Sequence, residues 1–247
     1  MIPYTELADG FSLFANLRTK LPLPRSRETV LHFFEAIRKG VPGLSHFRST
    51  DEAFLVENDA NSDWPRSVLL GEDHLCSQSS SPDDENGSDQ QHSRILELAP
   101  YHLGISAMDC EVLEVGYRYD LEFAGNQDEL LAGVLSKGSP TEALLHPPNS
   151  QVLFFQPSWT LVHDDTCRLQ STVAIQTRTD AFQIATGNYP ESALSIFLTV
   201  QRYWAAEHGD SFSEDYARLR EFGAELIANH IGPSLIEPIV RAIAARR

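Results

Sequence analysis

Cysteine is scarce in this chain. Cys76, Cys110 and Cys167 are the only three in 247 residues, too few and too scattered for a disulfide framework or a zinc knuckle. All three are expected as buried free thiols. Long apolar runs are also missing. No stretch approaches the ~20 residues a membrane helix requires, so no membrane partner is expected. Met1-Ile2-Pro3-Tyr4-Thr5-Glu6 has neither a basic nor an apolar leader region, and a cytoplasmic location is the expectation. Positive charge is the third shortage: 19 Lys and Arg stand against 35 Asp and Glu, a net charge of −16. The acid excess runs through both halves, with 17 acids and 9 bases in 1–109 and 12 and 5 in 110–209. Proteins hold nucleic acid by neutralising phosphates with Lys and Arg, so nucleic acid is not an expected partner and the charge reads as solubility. Short catalytic signatures are absent as well. There is no phosphate-cradling glycine loop, nucleophile elbow, HExxH or paired-cysteine motif. No cofactor and no metal are expected, although an enzyme with residues scattered along the chain would lack such signatures too.

What is present says more about construction. Over 111–123, Leu113, Val115, Tyr117, Tyr119, Leu121 and Phe123 alternate with Glu114, Gly116, Arg118, Asp120 and Glu122. That period of two marks a strand with one buried and one wet face. Ala124-Gly125-Asn126 supplies a turn, and Asn126 is an N-cap candidate with Asp128 and Glu129 behind it. Leu130, Leu131, Val134 and Leu135 then follow at helical spacing until Gly138 and Pro140. One hundred residues earlier the order recurs. Phe11, Leu13, Ala15 and Leu17 alternate with polar residues, Ser26 is the cap candidate, and Val30, Leu31, Phe34 and Ile37 form a stripe closed by Gly40 and Pro42. Leu17 and Tyr117, Arg18 and Arg118, Ser26 and Asn126, and Leu31 and Leu131 fall in register without a gap, as an internal duplication would produce.

Further strands are expected at 52–57, at 66–76 with Gly71 as a weak point, and at 94–98. Segment 78–91 is rich in Ser, Asp, Asn and Gln, with no Lys or Arg between Arg66 and Arg94, and is expected as a mobile acidic hairpin loop. In the second half a helical turn is expected at 141–145. A hairpin of 151–163 with 167–178 turns at Asp164-Asp165, and strands follow at 181–186 and 194–204. Ser213 is the cap candidate for a tail helix striped by Tyr216, Leu219, Leu226 and Ile231 and ended by Gly232-Pro233. A last helix has Pro238 in its first turn. The expected fold class is α+β: two similar strand–helix–multistrand antiparallel units, 1–109 and 110–209, with helices on one face. Two C-terminal helices in 210–247 pack on the sheet.

Three groups could carry chemistry. His163-Asp164-Asp165 has the makings of a base or a metal site, but it stands where a hairpin must turn and Asp is a turn former. Glu72, His74 and Cys76 share one side of a strand, yet neighbours two apart splay by ~7 Å and need ligands from elsewhere. The third group is a surface. Arg168, Gln170, Thr172, Gln176 and Arg178 lie opposite Leu169, Val173 and Ile175, while Ser195, Phe197, Thr199, Gln201 and Tyr203 share one side of the last strand. With Arg118 they make a polar-aromatic face whose composition suits an interaction surface. The binding residues expected are Arg118, Arg168, Gln170, Gln176, Arg178, Gln201 and Tyr203. The functional expectation is a non-catalytic binding or assembly protein, using this open face or its edge strands to hold a protein partner or a second copy. The alternative is an enzyme or small anionic ligand-binding protein with a cleft between the halves, built on His163, Asp164, Asp165, Arg118 and Arg178.

Overall fold

The alternation in 111–123 becomes the longest strand and the middle of the molecule. The computed structural model describes residues 3–246 apart from 60, 63, 81–84, 146 and 205–210. Its frame is one antiparallel sheet of nine strands: β1 (Gly10–Thr19), β2 (His46–Ser49), β3 (Phe54–Glu57), β4 (Arg66–Leu70), β5 (His74–Ser79), β6 (Cys110–Phe123), β7 (Ser158–Val162), β8 (Leu169–Gln176) and β9 (Ser192–Tyr203). The order across the sheet is β2-β3-β4-β5-β1-β6-β9-β8-β7. The helices are α1 (Arg27–Gly40), α2 (Glu85–Leu103), α3 (Gln127–Leu135), α4 (Glu142–Leu145), α5 (Ala181–Thr186), α6 (Phe212–Leu226) and α7 (Glu237–Ala244). The class is α+β.

Side chains facing the helices are those the period of two selects. Leu13, Ala15 and Leu17 of β1, Leu113, Val115, Tyr117 and Tyr119 of β6, and Leu194, Ile196, Leu198 and Val200 of β9 are all buried. They pack with Val30, Phe33, Phe34 and Ile37 of α1, Ile95, Leu96 and Ala99 of α2, and Leu130 and Leu131 of α3 in one core that spans both halves. Each of the Val, Leu, Ile and Phe side chains among them contributes about 1.5–3 kcal/mol on burial. Local signals start the helices. Ser26 accepts from Thr29 N at 3.2 Å and Asn126 from Glu129 N at 2.9 Å, and Ser211 with Glu214 forms a capping box on α6. Asp215 pins α6 to the sheet: fully buried, it takes Arg202 Nη1 of β9 at 2.7 Å.

The halves meet in the β1–β6 seam, where Ala15 stands opposite Val115 and the pairing runs outward to Gly10–Asp120 on one side and, after a shift in register, to Thr19–Cys110 on the other. Outward from that seam one half continues β5-β4-β3-β2 and the other β9-β8-β7. Each half therefore opens with a long central strand and a capped helix. The residues one hundred apart that do so, Ala15 with Val115 and Ser26 with Asn126, hold matching positions in strand and cap. The halves share a single sheet, with the second one strand shorter than the first.

Several sequence expectations are corrected. Gln78 and Ser79 end β5, and 85–91 begin α2, so 78–91 is not a loop; 81–84 lie outside the described residues. The expected strand at 94–98 is the middle of α2. The first turns of its buried face are polar, which shortens the apolar period: Ser88 bonds Ser79, and Gln91 and His92 bond Ser77, both serines on β5. The expected strand at 181–186 is α5. Phe182 and Ile184 alternate as a strand would, but Asp180 and Gln183 close a capping box that decides for helix. Segment 66–76 is a hairpin, folded at Gly71, whose N–H donates to His74 O at 2.8 Å. Strand β2 had no sequence signal and forms only by pairing with β3. On α1 it is Phe33, rather than Leu31, that joins the buried stripe. The tail helix is capped by Ser211, not Ser213, and does not stop at Gly232-Pro233. A π-helical segment, Ile227–Ile236, carries Pro233 and runs on into α7. The wider π ladder removes the clash that a proline makes with the carbonyl four residues back. Tyr4 packs against Gly232, where any Cβ would overlap the ring.

Candidate functional site

The strand register defines the second face of the sheet, the one turned away from the helices. Across β1, β6, β9 and β8 it brings into rows Ser12, Arg118 and Phe197; Phe14, Gly116, Thr199 and Thr172; and Asn16, Glu114, Gln201 and Gln170. Gly116 lets the Phe14 ring lie across the neighbouring strand, since a Cβ there would fall 1.8 Å from Phe14 Cζ. This is a glycine with a packing reason rather than a turn.

One polar cluster centres on Asp120. Arg118 grips its carboxylate with Nε and Nη2, each at 2.9 Å. Ser195 donates to Asp120 Oδ1 at 2.5 Å and accepts from Arg178 Nη2 at 3.1 Å. The Arg118 guanidinium lies 5.8 Å from the centre of the Phe197 ring, within cation–π range. A bidentate arginine on a carboxylate is a stiff unit, and here a serine and a second arginine brace it. About six residues along β9, or roughly 20 Å at strand rise, is a second cluster. Gln201 Nε2 donates to Gln170 Oε1 at 3.1 Å and approaches Tyr203 Oη at 3.4 Å, while Gln170 Nε2 is held by Cys167 O at 2.7 Å. Between the two, Thr160 and Thr172 share a 2.8 Å hydroxyl bond. In the neighbouring row Asn16 donates to Glu114 at 2.7 Å.

These groups are hydrogen-bond donors and acceptors, with two guanidinium cations among them. The Ser195 hydroxyl donates to the Asp120 carboxylate and accepts from Arg178. Cys76 lies on this face as well, and burial, followed by the nearby Glu114 carboxylate, pushes its thiol up to about 11. Such a thiol stays protonated at neutral pH and is a poor nucleophile. Cys110 is buried and pushed up to about 12, again chiefly by burial. Cys167 departs from expectation: it is exposed, in the β7–β8 turn, with φ of 58°.

Of the seven residues expected on the binding face, Arg118 and Arg178 meet at the Asp120 cluster, and Gln170, Gln201 and Tyr203 meet at the second. Gln176 is exposed opposite Ser195. Arg168 lies just before β8, where its backbone N–H donates to Asp164 and its carbonyl accepts from Tyr203 N. Of the groups expected for a cleft, Arg118 and Arg178 meet at Asp120, but His163 and Asp164 lie elsewhere. His163 lies on the helix side, with Nε2 2.7 Å from Ser171 Oγ and its ring edge-on to Phe222 of α6. Asp164 is a turn residue: its carboxylate accepts from Arg168 N, Leu169 N and Thr166 Oγ1, and the hydrogen bonds hold it below the usual carboxylate range against desolvation. His74 is paired with Asp73. Among the described residues no three His, Cys, Asp or Glu groups converge as metal ligands, and no helix is long and apolar enough to cross a membrane.

Sequence reading missed Asp120 and Ser195 as partners of the arginines. It missed a part-buried polar network as well, between α2, α6 and the sheet. There Tyr216 Oη donates to Asp89 at 2.6 Å, Arg220 Nε reaches the same oxygen at 3.2 Å, and Tyr117 Oη donates to Arg220 O at 2.6 Å. The helical spacing of His92, Ile95, Leu96, Ala99 and Leu103 was the signal that could have located it. No protein-family model matches the chain, and a search of curated proteins finds no match either.

Proposed function

We propose that this chain is a non-catalytic binding or assembly protein whose uncovered sheet face receives a protein partner. The observation that carries this reading is charge balance. The strands turn Arg18, Arg48 and Arg118 to that face, against Glu57, Glu114, Asp120 and Glu122, on a chain with 35 acids and 19 bases. That surface is therefore close to balanced although the chain as a whole carries a large acid excess, which favours approach there. The polar groups on that surface are already ordered by their own hydrogen bonds, and a pre-set surface loses less entropy on binding.

The test replaces exposed or half-exposed positions that carry no core packing: Gln170→Glu, Gln176→Glu and Tyr203→Ser in one variant. Immobilised wild type and variant, matched by circular dichroism and melting temperature, are exposed to the same extract and the retained proteins quantified. A partner lost about tenfold or more by the variant is the expected result, equivalent to ~1.4 kcal/mol. Identical retention profiles would remove the face from consideration.

A further inference from the structure

We infer that β7 is a dimerisation edge, pairing with β7 of a second copy about a twofold axis at Thr160. This rests on the assembly reading above but uses a different surface, the sheet's outer edge rather than its open face.

The sheet has two edges, and they differ. At the β2 edge, His46 and Arg48 are charged or chargeable, and Arg48 is paired with Glu57 at 2.7 Å. Charges on an edge strand deter further pairing. The β7 edge, Ser-Trp-Thr-Leu-Val, has no charge and no proline within it, and all five residues are exposed. Trp159, Leu161 and Val162 are 39%, 51% and 50% exposed. Monomeric proteins rarely leave such a strand open.

The hydrogen-bond phase shows which backbone groups are available. His163 N donates to Leu169 O, and Pro157 O accepts from Ile175 N. Odd-numbered residues of this strand therefore turn their backbone toward β8, and by alternation Ser158, Thr160 and Val162 turn theirs outward. Among the described residues no backbone bond involves these outward groups. Antiparallel pairing of two copies centred on Thr160 puts Thr160 opposite Thr160 and Ser158 opposite Val162, so every outward donor meets an acceptor. It also sets Trp159 beside Leu161 of the other copy, twice, in the close non-hydrogen-bonded position where side chains touch best. In that register Asp164 faces Gln156, so the acidic turns do not oppose each other. The strand is complementary to itself, which is why a second copy is the occupant rather than an unrelated extended segment. A self-complementary contact closes as a twofold dimer, whereas joining β7 to β2 would propagate into a fibre. A five-residue edge is a small interface, so affinity falls at the weak end, about micromolar. The net charge of −16 on each copy opposes association until salt screens it.

Sedimentation of the full chain, followed up to about 100 μM, should show a monomer–dimer equilibrium that tightens between low and physiological salt. Leu161→Lys should shift it to monomer by tenfold or more without lowering the melting temperature. Thr160→Cys, in a Cys167→Ser background under oxidised glutathione, should give a covalent dimer, because paired Cα atoms ~5.5 Å apart lie within disulfide reach. Ser158→Cys alone should not, since it faces Val162. A monomer at every concentration, or a dimer indifferent to Leu161→Lys and cross-linked equally through position 158, overturns the inference. So does open-ended growth. None of those results bears on the open face, whose loss would be seen in the partner experiment with dimerisation intact.

Discussion

His92 is the residue whose chemistry is most altered by the fold. It lies on α2, fully buried, with Nδ1 2.7 Å from Ser77 Oγ and its ring 5.5 Å from that of Tyr216. Burial, with the Arg220 charge adding to it, pushes its pKa down to about 3 from 6.5. The sign follows directly. Below pH 6.5 the unfolded chain takes a proton on this imidazole and the native one does not, so stability is complete above that pH and declines as pH falls toward 3. The slope should approach one proton, on the order of 1 kcal/mol per pH unit. Denaturant titrations at pH 7, 6, 5 and 4 would measure it, and His92→Gln should flatten the limb between about pH 6.5 and the carboxylate range. A wild-type profile already flat there would mean that the imidazole is protonated in the native state. His92 also illustrates what a sequence withholds. The alternation of Leu113 to Phe123 was legible because every second residue is apolar, whereas α2 buries Ser88, Gln91 and His92 against β5 serines, which confines its apolar period to Ile95, Leu96, Ala99 and Leu103.

At the scale of elements, two glycines separate a covered face from an open one. Gly223 of α6 faces Tyr117, and an added Cβ would lie 2.5 Å from the ring; Tyr117 is fully buried and anchored through its hydroxyl to Arg220 O. Gly116 of β6 faces Phe14, which is only partly buried. Gly223→Ala therefore has to move a helix off the sheet and should cost ~1–3 kcal/mol as an overpacking change. Gly116→Ala should cost less, because Phe14 can swing toward solvent. Thermal melts of the two variants make the comparison; the reverse ranking would mean that the even face of β6 is covered. Elements with a local signal were readable: the caps at Ser26 and Asn126, and the turn at Asp164. Those formed by pairing were not. β2 exists only against β3; α5 did carry a local signal, the Asp180–Gln183 capping box, but its alternating Phe182 and Ile184 disguise it.

The whole molecule is organised by one seam and one core. Strand–helix order and the class of fold could be read from the chain, but nothing in a strand's own residues says which strand lies beside it. β1 and β6 proved to be neighbours, and the hydrophobic core runs beneath both without interruption. Unfolding should accordingly be a single cooperative event: far-ultraviolet circular dichroism and tryptophan fluorescence, with Trp64 in the first half and Trp159 and Trp204 in the second, should trace the same curve. Two resolved transitions would mean that the halves unfold independently.

The seam has a consequence for synthesis. Two central strands that face each other lie about a hundred residues apart in the chain, so the ribosome completes β1 long before its inner neighbour exists. At about 5–20 residues per second, that interval lasts several seconds to some 20 seconds. Throughout it Phe11, Leu13 and Leu17 belong to a nascent half-sheet with one raw flank, ready to template on anything extended nearby. The strand that is safest in the finished protein is the most vulnerable during translation, and chaperone dependence should be greatest in that window.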